Sequence, residues 1–244
     1  MKSTVKNTPV ISSKKYEFTY DMQCVNGHLL YRIRALKDFA DVKKGDLGGY
    51  IEKESNLSHD GDCWVYDQAR VFEKARVFGN AKIKGYFVDV YGKAKIYGNA
   101  IFEGRTIKGN AKLYGNAHVQ NAVAIEGNAK IYDNASVTNY AHVSDDAVIC
   151  DNAHVGGNAK ISGASHICDD SRVFDDAVVC GALISGNSYV HSAASLTSDD
   201  HIWDEAYPEL GSEDDYYRHE YYDDYGYDDD YEYDCNSEDE NQAA

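Results

Sequence analysis

Proline is nearly missing from this chain: there are two in 244 residues, Pro9 and Pro208. Proline cannot donate to a β-ladder, so everything between those positions is free to form unbroken strands. Long apolar runs are missing too, and none approaches the roughly 18 residues a membrane span needs. The first thirty residues hold no apolar stretch of a secretion signal, so a cytoplasmic protein without membrane contact is expected. Six cysteines, at positions 24, 63, 150, 168, 180 and 235, form no Cys-x-x-Cys pair and no Cys/His metal spacing. That argues against a zinc site, and neither a metal nor a cofactor is expected. Basic residues are scarce in one place only. From Asp199 onward 19 Asp and Glu face a single base, Arg218, leaving 22 of the 41 acids and 23 of the 24 bases for the rest. The formal charge of −17 therefore belongs to the C-terminal segment, and the body is near neutral.

What is abundant is a six-residue phrase, small–x–aliphatic–x–x–x, repeated over residues 69–197. Ala75-Arg76-Val77-Phe78-Gly79-Asn80, Ala111-Lys112-Leu113-Tyr114-Gly115-Asn116 and Ala129-Lys130-Ile131-Tyr132-Asp133-Asn134 are three instances. A fixed short period predicts a solenoid whose units bury their apolar residues against neighbours. The small and aliphatic positions alternate with outward ones, as a strand requires. Three hexads make one triangular turn of about 18 residues, and turns stack about 4.8 Å apart. About seven turns fit, a prism roughly 34 Å long at that spacing. The register predicts one extra residue near 86–88 and one missing near both 104–105 and 181–182.

Residues 1–15 read as a mobile arm and 16–56 as a β cap. Segments 16–20 and 28–36 alternate as strands around an Asn26-Gly27 hairpin turn, followed by glycines where the chain must bend into a new structure. The solenoid is placed at 57–198 and an acidic tail at 199–244.

The 18-residue coil predicts columns. Asn80, Asn99, Asn116, Asn134, Asn152, Asp170 and Asn187 should stack at one corner, where Asn tolerates left-handed backbone and its amide bonds the next turn. The other two corners show no comparable column. Beside the asparagines run Phe78, Tyr97, Tyr114 and Tyr132, then Cys150 and Cys168. Aromatics one coil apart stabilise a ladder by themselves, and the four rings are also the candidate oligomer interface. Cys150 and Cys168 fall on successive coils, near enough for a disulfide that a reducing cytoplasm disfavours.

The hexads resemble the left-handed parallel β-helix of the hexapeptide-repeat family, with an aliphatic residue followed four positions later by a small one. Val77-to-Ala81 and Ile131-to-Ala135 fit that pattern, and more than fifteen hexads over about 57–197 agree. The segment Tyr31-Arg32-Ile33-Arg34-Ala35-Leu36-Lys37-Asp38-Phe39, with Val42 to Tyr50 and Gly61 to Asp67, is similar to the entrance region of YdcK-like proteins. Those occur in bacteria and phages and are provisionally called acetyltransferases. The resemblance implies an all-β, triangular solenoid, and for activity an acyl-CoA-dependent acyltransferase working as a trimer. Fold alone does not carry chemistry.

The residues point elsewhere. Family acyltransferases use a histidine near a subunit boundary, often beside an inserted loop, and no such loop interrupts these hexads. His118, His142, His154 and His166 occupy outward positions, and steps of 12 residues put the last three on different faces. No catalytic residue is assigned. Lys82, Lys95, Lys112, Lys130 and Lys160 are read as spread over several faces among carboxylates, a solvated surface and not a nucleic-acid track.

The tail has a composition that solubility does not explain, with nine tyrosines after residue 199. Tyr216, Tyr217, Tyr221, Tyr222, Asp223, Asp224, Tyr225, Tyr227, Asp228, Asp229, Asp230, Tyr231 and Tyr233 form the candidate partner-binding segment, expected to be disordered when free. Dense carboxylates imitate a phosphate backbone and phenols add stacking area, so a basic, nucleic-acid-handling protein is the expected partner. The sequence reading is thus a non-catalytic binding or scaffold protein, such as an inhibitor of a host factor, and the resemblance to YdcK-like proteins implies that it could be phage-encoded. Acyltransferase and self-assembling structural protein are the alternatives.

Overall fold

The computed structural model describes residues 14–203, all of which belong to the first of two units in the chain, Met1–Pro208. Within them the protein is a parallel β-solenoid of three sheets, built from strands of mostly two or three residues. The hexad dictates this directly. Ala111 and Leu113 point inward and are fully buried, while Lys112 between them stays outside. The same pair recurs from Ala75 and Val77 to Ala182 and Ile184, giving one continuous core along the axis.

We name the sheets by a residue each carries. The tryptophan sheet has eight strands from Trp64–Val65 to Tyr189–Val190, and the lysine sheet eight from Arg76–Val77 to His201–Trp203. The cap sheet has eleven, of which the first three form the cap. There β1 (Tyr16–Val25) and β2 (His28–Ala35) make an antiparallel hairpin, turning at Asn26 and Gly27, both with positive φ. Next, β3 (Leu47–Ile51) pairs antiparallel with β2 and parallel with Arg70–Val71. One strand thus joins cap to solenoid. Gly48 and Gly49 allow it: a Cβ at Gly49 would stand 2.3 Å from the Ala69 carbonyl oxygen, and one at Gly48 2.6 Å from that of Val65.

The solenoid has about nine turns, where the hexads alone suggest about seven. The difference lies at the ends. The coil begun by β3 has no hexad phrase, and the last strand reaches Trp203. The register slips fall where the hexads place them. Val71 pairs with Val90 across 19 residues, Val90 with Ile107 across 17, and Ile167 with Ile184 across 17. Each length change is absorbed at a corner, and the first leaves Tyr86 and Phe87 standing out in solvent.

The first coil presents carbonyls with no coil below them. Lys15, fully buried, covers them: its ammonium donates to the Cys63 carbonyl at 2.8 Å and the Gly61 carbonyl at 3.1 Å. The Tyr16 hydroxyl donates to the Leu57 carbonyl at 2.8 Å. An open ladder end is closed by side chains as well as by the cap strands.

Candidate binding face and cysteine corner

Parallel pairing in register converts every outward hexad position into a column. On the lysine sheet Arg76 pairs with Lys95, Lys95 with Lys112, and Lys112 with Lys130. Four cations therefore stand on successive coils, about 4.8 Å apart by backbone spacing. The five lysines do spread over three sheets, with Lys82 and Lys160 on the other two, but Lys95, Lys112 and Lys130 share one column. A count by position in the hexad hides this, and a count by coil shows it.

Like charges directly opposite destabilise a sheet. Three other lysines are paired: Lys82 holds Asp41 at 2.9 Å, Lys84 holds Glu103 at 3.6 Å and Lys108 holds Glu126 at 2.7 Å. Among the described residues no ion pair joins Arg76, Lys95, Lys112 or Lys130.

Two residues along lies the aromatic column. Phe78 and Tyr97 stack with centroids 4.8 Å apart and planes 3° from parallel, Tyr97 and Tyr114 at 4.9 Å and 1°, Tyr114 and Tyr132 at 4.8 Å and 5°. Ring faces are covered by one another, leaving edges for any outside partner. Burial raises the phenol pKa of Tyr97 and Tyr114.

Two residues further is the asparagine column. Amides donate upward from Asn80 to Asn99, Asn116, Asn134 and Asn152, and finally to Asp170, at 3.0–3.1 Å. The corner residue before each has positive φ, being glycine at 79, 98 and 115 and aspartate at 133, 151 and 169. The other two corners, where the sequence suggests no comparable column, carry short ladders: Asn110 donates to Asn128 and Asn128 to Asp146, Asn121 to Asn139, and Asn158 to Asp176.

Above Tyr132 the cation and ring columns change, while the amide ladder runs on through Asn152. Val148 and His166 continue the cations, and Cys150 and Cys168 continue the rings. Cys150 Sγ lies 3.4 Å from His166 Nε2 and 3.4 Å from Asp151 Oδ2. Cys168 Sγ lies 3.9 Å from Asp169 Oδ2. Burial pushes the Cys150 thiol up to about 12, the Tyr132 hydrogen bond opposing and Asp151 reinforcing the shift. The described cysteines, including Cys150 and Cys168, are free thiols.

The remaining sequence candidates are dispersed. His118 and His154 lie on the tryptophan sheet on either side of Ser136, His142 on the cap sheet and His166 on the lysine sheet. Two have carboxylate partners, His118 with Glu103 at 3.2 Å and His142 with Glu126 at 3.0 Å. A cleft of about 150 Å³ beside Glu54, His59, Arg76 and Phe78 is smaller than the roughly 300 Å³ at which ligand pockets begin. Tyr216, Tyr217, Tyr221, Tyr222, Asp223, Asp224, Tyr225, Tyr227, Asp228, Asp229, Asp230, Tyr231 and Tyr233 lie outside the described residues. No helix among the described residues is long and apolar enough to cross a membrane.

Coil length, pairing and inward Ala–aliphatic phrase define a parallel β-solenoid of the hexapeptide-repeat kind. Within that class the chain is similar to a protein named "Uncharacterized acetyltransferase YdcK" from Escherichia coli (strain K12). The two are 37% identical over 62 residues, which is 25% of this chain and 19% of that protein. The match therefore spans less than two thirds of either sequence. No protein-family model matches the chain.

Proposed function

We propose that the protein is a non-catalytic binding and scaffold protein with two charged elements of opposite sign. The observation that carries this reading is the unpaired column Arg76–Lys95–Lys112–Lys130 beside the aromatic stack, in a protein that pairs Lys82, Lys84 and Lys108. Each neighbouring pair in such a column costs up to roughly 1 kcal/mol in water before salt screening. An anionic partner converts that cost into affinity. Because the ring faces are mutually covered, bases have nothing to stack on, and an acidic protein segment suits the face better than nucleic acid.

The acidic, tyrosine-rich tail 199–244 then serves a different partner, a basic, nucleic-acid-handling protein of the same cytoplasm. One form this takes is an inhibitor of a host factor, phage-encoded on the resemblance to YdcK-like proteins alone, while the basic character of the partner rests on the segment's charge. Affinity isolation with the full chain, a 211–244 deletion and a Lys95→Glu/Lys112→Glu/Lys130→Glu variant tests both halves. The deletion should lose basic partners, with salt dependence, and the triple variant acidic ones. Retention of every partner by both variants overturns the reading.

The second reading, an acyl-CoA-dependent acyltransferase, has the His118–Glu103 and His142–Glu126 pairs in its favour. They sit on different sheets, so it needs a trimer to complete a site. Tight acetyl-CoA binding by calorimetry, abolished by His118→Ala or His142→Ala, would replace our preference.

A further inference from the structure

The upper half of the lysine sheet collects metal donors that no local motif announces. We propose that Cys150, Cys168, His166 and Asp151 form a site for a borderline-soft divalent cation of the zinc type. The cysteines are 18 residues apart, which separates them in sequence and places them on adjacent rungs, since Ile149 pairs with Ile167 directly before them. His166 stands two residues before Cys168 on the same strand side and leans onto Cys150. Asp151 is the carboxylate within reach of both thiols: its Oδ2 is 3.4 Å from Cys150 Sγ, and the donor atoms of Asp151, Cys168 and Asp169 all lie within 4.8 Å of one another.

The distances suit the ion. With zinc–sulfur bonds of about 2.3 Å and zinc–nitrogen or –oxygen bonds of about 2.0–2.1 Å, the sulfur-to-nitrogen and sulfur-to-oxygen edges of a tetrahedron are about 3.5–3.6 Å. The two such contacts of Cys150 are both 3.4 Å, so these two edges already match, while Cys168, within 4.8 Å of Asp151, must close in for binding. The frame that holds the donors is rigid. Asp169 Oδ2 accepts the Gly186 N–H at 2.9 Å, and Asp151 Oδ2 accepts the Asp169 N–H at 3.3 Å, which orients both carboxylates on the corner.

A structural need of the ladder does not select this set. Phenols occupy the ring column below and Ser185 stands above, so either would serve packing there. Instead ring, cation and corner columns together hold sulfur, imidazole and carboxylate over two coils. Binding replaces the two thiol protons, which pass to solvent, and leaves a site of two thiolates, one imidazole and one carboxylate. This site is independent of the cationic half of the face and of the partner reading above.

The test is titration of the reduced, dialysed full chain with zinc chloride alone, against a chromogenic chelator. One ion per chain is expected, and cobalt in its place should give thiolate-to-metal charge-transfer absorbance. Cys150→Ser/Cys168→Ser should abolish both signals. His166→Gln, at an exposed position where folding is not at stake, should weaken binding at least tenfold, while Cys180→Ser leaves it unchanged. Absence of binding overturns the site. So does binding that persists in the double cysteine variant, or a cobalt spectrum without a thiolate band.

Discussion

The lower and upper halves of the lysine sheet share one backbone and differ in their cation and ring columns. Below, Arg76, Lys95, Lys112 and Lys130 run beside Phe78, Tyr97, Tyr114 and Tyr132; above, Val148 and His166 run beside Cys150 and Cys168. The inward residues do not change character at the boundary, since Leu113, Ile131, Ile149 and Ile167 are all fully buried. Scaffold and surface are therefore specified by different positions of the same hexad. A solenoid can change its chemistry from one coil to the next without touching its core.

The largest test of that separation lies inside. Leu113→Ala and Ile167→Ala each empty a fully buried site, and each should cost about 2–5 kcal/mol in denaturant titrations. Similar losses with one cooperative transition support a common scaffold, and two separate transitions would break the comparison. Next comes Tyr114→Ala, which removes two stacking contacts at about 0.5–1.5 kcal/mol each. Cys168→Ala in the upper half should cost less, by the same measurement. Sedimentation of Tyr114→Asp/Tyr132→Asp asks a separate question of the lower half: unchanged mass removes these rings from any oligomer interface.

Asn116→Ala should be milder, about 1 kcal/mol, because it breaks two solvent-exposed amide rungs. Asn134→Ala should match it, since the asparagine column crosses the boundary between halves intact. The cap gives a third term. Lys82 and then Tyr66, hydrogen-bonded to Asp41, hold its carboxyl at about 2, below the ordinary 3.8. Its contribution is complete above pH 3.8 and is lost as pH falls through about 2. Exposure keeps it small, and Asp41→Asn should flatten that part of an acid-unfolding curve while leaving both halves of the lysine sheet as they were. Smallest of all, Lys112→Gln should raise stability by a few tenths of a kcal/mol at low salt and by nothing at high salt, the mark of a relieved repulsion.

The hexads make much of this legible beforehand. Ala-x-aliphatic spacing alone places the core, and the counts between repeats locate the three slips to within a residue or two. The asparagine and aromatic columns follow from the same arithmetic, because identical side chains one coil apart favour a ladder. Leu47–Ile51 was less readable as solenoid, since two glycines replace the small–aliphatic phrase where β3 must press against Val65 and Ala69. The cationic column is not legible by hexad position, which groups Lys82 and Lys160 with Lys95, Lys112 and Lys130 and leaves Arg76 aside. Cys150 and His166 escaped for a related reason. Metal motifs are sought within a few residues, and here contact is made across 16. The chemistry of the acidic segment is written in composition alone, and Tyr216 to Tyr233 lie outside the described residues.

The corners carry a consequence for how such a chain changes over generations. Coils of 17, 18 and 19 residues keep the same columns aligned, because a gained or lost residue is taken up where the backbone turns. Single-residue insertions and deletions, ruinous in most β-sheets, are tolerated at these places, and a whole coil is a unit that duplication can add or remove. The prism is in effect a ruler with marks about 4.8 Å apart. Lengthening a run of cations, or moving the cysteine corner relative to it, requires only a change in the number of marks between them.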